Sequence, residues 1–515
     1  MAIVGTLLLW PGWTMDGWSE AFAEMETQRA PISVTVEQPA AAAADSLRVL
    51  FAGGNSPFLE IGPPAFATLA RFYASRGDQP LWVGAGGLEP AGRALLERLG
   101  AIAAGGEPSI ASLVRAAKAR MVASLPDELA KLELLLSAGL AGTGVDPRDP
   151  ASEADAPTTL SNAAAVANPL AFLRLYLPID PAFWRLRAAA RAYREIAARG
   201  GWSEVADGAT LRLGDRDARV AQLRERLLVT VDLLDRGSTP ELFDAALEEA
   251  VQRFQVRHGL DSDGIVGKKT LAALNVPVAR RLATMDVNLR RLQQEGREWG
   301  ARYLAVNTAA ATYRVVENGQ QLFERPAIVG RSDWPTPRID SVIDRMEFNP
   351  YWIVPPRIAR LELLPKIRRD PDYLQRNDMQ MVDGQIRQRP GPKNPLGVVK
   401  FHFDNPSFIY LHDTSNRQQF DRPDRFLSHG CIRASGAVDL AVLLLQGDPA
   451  WPRERIDAVI AAGGNLEVAL VDPMPIHVVY DTAWVDASGA VQFRSDTYGR
   501  DRMLSAAADA ESCSG

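Results

Sequence analysis

The chain of 515 residues is poor in the side chains that build metal centres and disulfide frameworks. It has two cysteines and five histidines, and it contains no Cys-x-x-Cys or His-x-x-x-His spacing, which argues against a zinc site. No metal and no organic cofactor is implied. Positive charge is not in excess either. The net charge of −6 is spread along the chain, which argues against nucleic acid as a partner. Long apolar runs are missing. The segment from Met1 to Trp13 is too short to span a bilayer and is interrupted by Pro11. Its length suits the core of an export signal, and Ala21-Phe22-Ala23 resembles a cleavage site. The usual basic flank is absent, since the first positive side chain is Arg29. A start lying upstream and a disordered leader therefore stay open. The expected location is the periplasm or cell envelope, reached through an N-terminal signal or held by an anchor. Cys513 lies in a polar tail. A Cys431–Cys513 bridge would suit an oxidising compartment, but it would consume the thiol.

What is present is ordinary globular composition, with 47% apolar and 23% charged residues. That length divides into roughly three or four domains. Residues 1–44 read as a signal-like leader and linker. Residues 45–213, with 276–300, read as a helical scaffold. Examples of its helical spacing are Leu95, Leu96 and Leu99, and then Leu129, Leu132, Leu135 and Leu136. A Pro/Asp/Ala-rich stretch from Gly142 to Asn168 reads as a long loop. Residues 214–275 form a small unit in which Val220, Leu223 and Leu227 make one apolar face. Phe243, Leu247, Val251 and Phe254 make another. Asp261-Ser262-Asp263-Gly264 fails as a calcium loop, because Val266 and Ala272 stand where glycine and glutamate are required.

Strand-forming runs begin after 300. They are Tyr303–Asn307, Thr312–Val316, Ala327–Val329, Met346–Val354, Gly397–Phe403 and Phe408–Leu411. Residues 301–500 thus read as a mostly-β domain, with a disordered tail over 501–515. A polar insertion, 355–395, interrupts it with a helical stretch over Arg357–Arg369. It is either a lid over a nearby site or a surface elaboration. The chemistry concentrates just beyond it. Cys431 sits in Ser428-His429-Gly430-Cys431-Ile432-Arg433, downstream of Tyr410-Leu411-His412-Asp413-Thr414. A thiol is a useful nucleophile as its thiolate, and an imidazole is the usual activator. Gly430 permits a tight backbone whose amides could hold an oxyanion. Spacing leaves the base open: His429 could lie on the thiol's side of a turn, whereas His412 needs the fold to bring it close.

These residues resemble the signature of the L,D-transpeptidases, the YkuD-type cysteine enzymes of peptidoglycan. The likeness extends to Asn349-Pro350-x-Trp352-x-Val354-Pro355, Asn394-x-Leu396-Gly397-x-x-Lys400-Phe401 and Tyr480-x-Thr482-Ala483-Trp484, as in the large YcbB-like subgroup. Gln79-Pro80-Leu81-Trp82-Val83 and Gly200-Gly201-Trp202 echo that subgroup's scaffold. Asp217-x-x-Val220-x-x-Leu223 and Gly259-Leu260-x-x-Asp263-Gly264-x-x-Gly267 are similar to a three-helix peptidoglycan-binding domain. The resemblance implies an α+β multidomain protein: helical scaffold, binding domain, and a mostly-β catalytic domain with a capping insertion. It implies Cys431 as nucleophile and His412 as general base and acid, with a backbone carbonyl orienting the ring's other nitrogen. Gly430 would be an oxyanion amide, and Tyr410 would supply a hydroxyl. His429, Arg433, Ser428, Trp352 and Asn394 would line the substrate site. The implied reaction forms 3-3 cross-links through a thioester, releasing D-alanine, with carbapenems as acylating inhibitors. The alternatives are a cysteine carboxypeptidase or hydrolase that trims stem peptides, and a non-catalytic wall-binding protein. Peptidoglycan is the expected partner, and other cell-wall synthesis proteins could join it. Oligomeric state is not readable.

Overall fold

The computed structural model describes residues 40–505, apart from 85, 122–124, 146–153 and 167. The expected signal and its cleavage site, most of the linker, Cys513 and residues 506–515 lie outside the described residues. The architecture is α+β, with a helical N-terminal region, a small helical domain and a β-rich C-terminal domain. The chain separates into two compact units. One runs to Trp184 and includes Leu292–Gly296; the other holds Arg185–Arg291 and everything from Arg297.

The first unit is built from helices α1 (Ala40–Ala52), α2 (Pro63–Ser75), α3 (Pro90–Ala104), α4 (Pro108–Lys118), α5 (Pro126–Thr143), α6 (Ala156–Ala165) and α7 (Pro169–Tyr176), with the start of α8 (Pro181–Ala198). A two-residue hairpin pair, β1 (Val83–Gly84) and β2 (Gly87–Leu88), sits between α2 and α3. Prolines recur at the first turns, where the missing N–H costs nothing. Leu95, Leu99, Leu132 and Leu135 are buried as their spacing predicts. Two expectations need correction. Ala40–Ala44 open α1 rather than close a linker. Within the expected loop 142–168, the Asp155 side chain accepts the Thr158 N–H and caps α6. The Gln79–Val83 motif has a structural use: buried Glu133 accepts the N–H groups of Leu81, Trp82 and Val83, and the Tyr73 hydroxyl donates to it.

In the second unit, α9 (Ala218–Val229), α10 (Ala245–Arg257) and α11 (Lys268–Leu274) enclose a core of Val220, Leu223, Leu227, Leu247, Val251 and Phe254. Gln255 holds the following turn by donating to Asp263 and Ile265 and accepting from the Gly264 N–H. Helix α12 (Val278–Glu295) leads to the β-domain. There β3 (Arg302–Asn307), β4 (Thr312–Glu317), β5 (Gln320–Gly330), β6 (Ile339–Phe348), β10 (Val399–Phe403), β11 (Leu411–His412), β12 (Phe426–Ser428), β13 (Ile432–Ala434) and β14 (Leu466–Val479) form one sheet. Its order is β12-β5-β13-β11-β10-β6-β14-β3-β4. Strand β5 also pairs with β4, so the sheet rolls back on itself around the core. Strand β10 shows why. Val399, Phe401 and Phe403 point inward, while Lys400 and His402 face the other side. Burying each inward side chain contributes about 1.5–3 kcal/mol. Helices α13 (Ala437–Leu445) and α14 (Arg453–Ala462) cover part of this core, and β15 (Ala483–Val485) pairs with β16 (Val491–Phe493) beyond β14.

The insertion has a small core of its own, with Val354, Leu363 and Ile386 at its centre. Its helical run spans 356–369, and the middle turn, Ala359–Leu363, is π-helical. Its two strands, β8 (Met379–Val382) and β9 (Gln385–Gln388), were not expected from the sequence; β9 pairs with β7 (Trp352–Ile353), which falls within the strand run expected over Met346–Val354. The described part of the expected tail is helical. Residues 500–505 are helical, and Asp501 accepts bonds from Arg291 and Thr482.

Candidate active site

Two short strands create the site. Strands β11 and β13 run parallel, pairing Leu411 with Ile432 and His412 with Arg433. The Ile432 N–H donates to the Tyr410 carbonyl at 3.1 Å. Cys431 directly precedes β13, so it stands beside Tyr410 and one step from His412. Leu411, Ile432 and Ala434 are buried in the core. Period-two alternation therefore sends Tyr410, His412, Cys431 and Arg433 to the opposite face. The Tyr410 and His412 rings lie 5.5 Å apart between centroids. On that same face Lys400 pairs with His412 across β10 and β11. Its ammonium lies 4.4 Å from the Tyr410 ring centroid.

The turn that carries the thiol is braced on both sides. Gly430 has φ of +109°, a conformation that favours glycine, and a Cβ there would press on Ile409 at 3.1 Å. The Ser428 hydroxyl donates to the Cys431 carbonyl at 2.6 Å and accepts the Gly430 N–H at 3.1 Å. Buried Thr336 donates to the Gly430 carbonyl at 2.8 Å and accepts the Gly330 N–H at 2.9 Å. Below β11, the Asp413 carboxylate accepts the Val398 N–H at 3.0 Å. Gly397 has φ of +63°, and any side chain there would collide with that carboxylate.

The protonation landscape follows from burial and neighbours. Cys431 is partly exposed, yet its surroundings are close enough that burial pushes its thiol up. The backbone and hydroxyl of Tyr410, Lys400 and Arg433 all pull it down. Tyr410 is held well above the ordinary phenol range, first by burial and then by the neighbouring thiol. A hydrogen bond from the Trp352 indole opposes that shift. His412, 4% exposed, is pushed down to about 3, first by burial and then by the Arg433 charge. Its Nδ1 is buried without a hydrogen-bond partner. The backbones of Leu396 and Asp413 are close enough to favour the charged ring, but neither forms a well-shaped bond to that nitrogen. Burial lowers Lys400 and Arg433 as well.

The structure thus brings Cys431, Tyr410, His412, Arg433 and Trp352 together. Arg433 donates to Gln419 at 2.7 Å. Other expectations are corrected. The Gly430 N–H, expected as an oxyanion donor, is occupied by Ser428 in this state. The Cys431 N–H makes no backbone hydrogen bond among the described residues. Ser428 is itself engaged by the turn. Asn394 is fully buried. Its amide donates to the Pro350 and Arg389 carbonyls and accepts the Leu396 N–H, so it closes the base of the insertion instead of reaching substrate. His429 turns toward the insertion. Its Nε2–H donates to Glu362 at 2.6 Å, and Trp334 packs edge-on at 4.8 Å. The Arg357 guanidinium sits 3.7 Å over the Trp334 ring. Glu362, Trp334, Thr336 and Lys400 escaped notice as site residues. Lys400 alone left a local signal, a charged residue between inward-facing apolar ones. A separate cleft of about 420 Å³ lies between Pro390–Pro392 and Asp413–Ser415, and neither Cys431 nor His412 lines it. Among the described residues no cluster of three or more acidic, histidine or cysteine side chains could hold a metal.

Fold and site define a rolled β-domain that presents a single thiol among a phenol, an imidazole and two cations, preceded by a helical domain. The family comparisons agree on its class. Residues 301–451 match the family described as L,D-transpeptidase catalytic domain (YkuD), 67–189 match the Scaffold domain, and 216–274 match "Putative peptidoglycan binding domain". Residues 301–451 thus form a domain of the L,D-transpeptidase catalytic (YkuD) family. It is 30% identical over 223 residues to a Haemophilus influenzae protein named "Putative L,D-transpeptidase", covering 39% of this chain and 45% of that one. It is 44% identical over 77 residues to N-acetylmuramoyl-L-alanine amidase CwlM of Mycobacterium tuberculosis, covering 13% and 19%. The chain thus spans less than half the length of either relative. A solved L,D-transpeptidase (Yku) from Stackebrandtia nassauensis is similar at 14% identity, over 54% of this chain and 98% of that one, with a TM-score of 0.22. That likeness is too remote to bear on the chemistry.

Proposed function

We propose that the protein is a peptidoglycan L,D-transpeptidase that forms 3-3 cross-links through a Cys431 thioester. The observation that carries this is the parallel β11–β13 register, which sets the thiol beside Tyr410 and next to His412 in a domain of this family. His412, neutral at physiological pH, takes the thiol proton as Cys431 attacks the carbonyl of the third stem residue. The oxyanion that forms is met by the Tyr410 hydroxyl and the Cys431 N–H. The amide C–N bond breaks, His412 returns the proton to the departing D-alanine amine, and a thioester remains. An amine from a neighbouring stem then attacks the thioester and gives a proton to His412. Collapse breaks the C–S bond and leaves a new amide, and the departing thiolate takes the proton back from His412. Arg433 faces the same space and suits a substrate carboxylate.

On this reading residues 216–274 hold the wall polymer, and the protein works outside the cytoplasmic membrane, where that polymer lies. Purified protein is incubated with a defined disaccharide-tetrapeptide, and products are read by mass spectrometry. The expected products are D-alanine and a cross-linked dimer, with neither formed by Cys431→Ala. D-alanine with tripeptide and no dimer would replace transpeptidation by hydrolysis. No D-alanine from the parent protein would overturn both.

A further inference from the structure

We infer that Lys400 is a positioning residue of this site, whose ammonium supplies the positive field that favours Cys431 as a thiolate. It acts through space and through the Tyr410 ring rather than on the acyl group. The inference rests on the reading of Cys431 as the nucleophile.

The sheet register places it there. One row of paired residues crosses β14, β6, β10, β11, β13 and β5: Glu467, Glu347, Lys400, His412, Arg433 and Ile328. The imidazole is thus flanked on its two neighbouring strands by cations. Cross-strand neighbours in such a row are close enough to interact directly. Lys400 sits on the outer face because Val399 and Phe401 take the inner one.

Its charge acts on two partners, first on Glu347 and then on the Cys431 thiol. The nearest carboxylate by register, Glu347, is engaged by His402 at 3.2 Å and by the Asn465 amide at 2.7 Å. Among the described residues Lys400 forms no ion pair within 4.0 Å. Its ammonium rests on the Tyr410 ring instead. A cation over a phenol ring draws on the ring's electron density and makes its O–H a stronger donor to a thiolate. The coupling is reciprocal: the Cys431 charge favours protonated Lys400, and Lys400 favours ionised Cys431. The same positive charge disfavours a second proton on His412, which keeps the base available. The charged and titratable groups facing this pair are Tyr410, His412, Arg433, Glu347, Arg345 and Glu467.

The test is the pH dependence of Cys431 alkylation by iodoacetamide in the full chain. Cys513 is changed to Ser so that one thiol is read, and the modified peptide is quantified by mass spectrometry. In Lys400→Met, which keeps the aliphatic stem, the apparent thiol pKa is expected to rise by about one pH unit, with alkylation below it slowed about tenfold. Lys400→Arg is expected to keep the parent profile. A Lys400→Met profile superimposed on the parent's, at unchanged melting temperature, would overturn the inference. If Met is not tolerated, Arg and Gln carry the test, and equal profiles for those two overturn it. The readout needs no wall substrate. A parent that makes no dimer while alkylation still shifts with Lys400 sinks the transpeptidase reading alone. A parent that cross-links while alkylation ignores Lys400 sinks this one alone.

Discussion

Glu362, in the π-helical turn of the insertion, meets His429 Nε2 at 2.6 Å, and His429 is two residues from the Cys431 thiol. The Nη1 of Arg331 lies 3.3 Å from the same nitrogen, but one ring nitrogen cannot both donate to Glu362 and accept from Arg331. The carboxylate bond therefore sets the ring. Together with Arg357 on Trp334, it ties the insertion to the loop that carries the thiol.

Glu362→Ala is expected to loosen that tie. The pair is part-exposed, so its loss costs stability no more than about 1 kcal/mol. Hydrogen exchange over 356–369 should quicken, and alkylation of Cys431 at fixed pH should accelerate several-fold. Unchanged exchange and alkylation would mean that the insertion does not gate the thiol.

Gly397→Ala attacks the brace under His412. It forces a side chain into positive φ and into the Asp413 carboxylate, which also holds Val398. Strain of this kind costs on the order of 1–3 kcal/mol. Urea unfolding should show that loss, and turnover should fall further than stability because β11 shifts relative to β13. A variant with parent-like stability and turnover would show that the turn is not required.

Thr336→Val removes a buried hydroxyl and leaves the Gly430 carbonyl and Gly330 N–H unpaired. The expected cost is about 1–3 kcal/mol. Thr336→Ser keeps the oxygen and should restore most of the stability and the rate of thiol alkylation. Equal behaviour of Val and Ser would remove the hydroxyl from the account.

His412 sets a pH signature. Its folded pKa of about 3 lies below the ordinary histidine value of 6.5. Between those values the unfolded chain binds a proton that the folded chain refuses. Stability therefore falls as pH drops from about 6.5 toward 3, and this contribution is complete above 6.5. Burial lowers His258 in the same sense, so the comparison must be between variants. His412→Gln should flatten the slope of stability against pH in that window by up to about 1.4 kcal/mol per pH unit. Parallel slopes in parent and variant would contradict the buried neutral imidazole.

Much of the architecture was legible locally. The helix faces around Leu223 and Phe254 followed from periodicity, and the strand run over β10 and the helical stretch of the insertion were readable as local elements. Some misses had readable signals. Asp383-Gly384, both at positive φ between β8 and β9, is the turn pair of a tight hairpin. Asp155-Ala156-Pro157 is a helix start. The long strand β14 hid for a physical reason. Pro473 and Pro475 argue against a central strand, and the register shift between Ala469 and Met474 is what accommodates the first. Asn394 is buried against backbone carbonyls, and in sequence such an asparagine looks the same as one that faces substrate.

The sequence by itself determined the chemistry available: a thiol after glycine, two histidines that could serve it, and the helical units ahead of them. These depend on residue type and short spacing, which no packing can alter. The tertiary structure decided which groups meet that thiol. It turned His429 toward Glu362, set Tyr410 beside Cys431, and put His412 between Lys400 and Arg433. Those neighbours come from strand register between segments far apart in the chain. A one-residue slip would send each of them to the opposite face of the sheet.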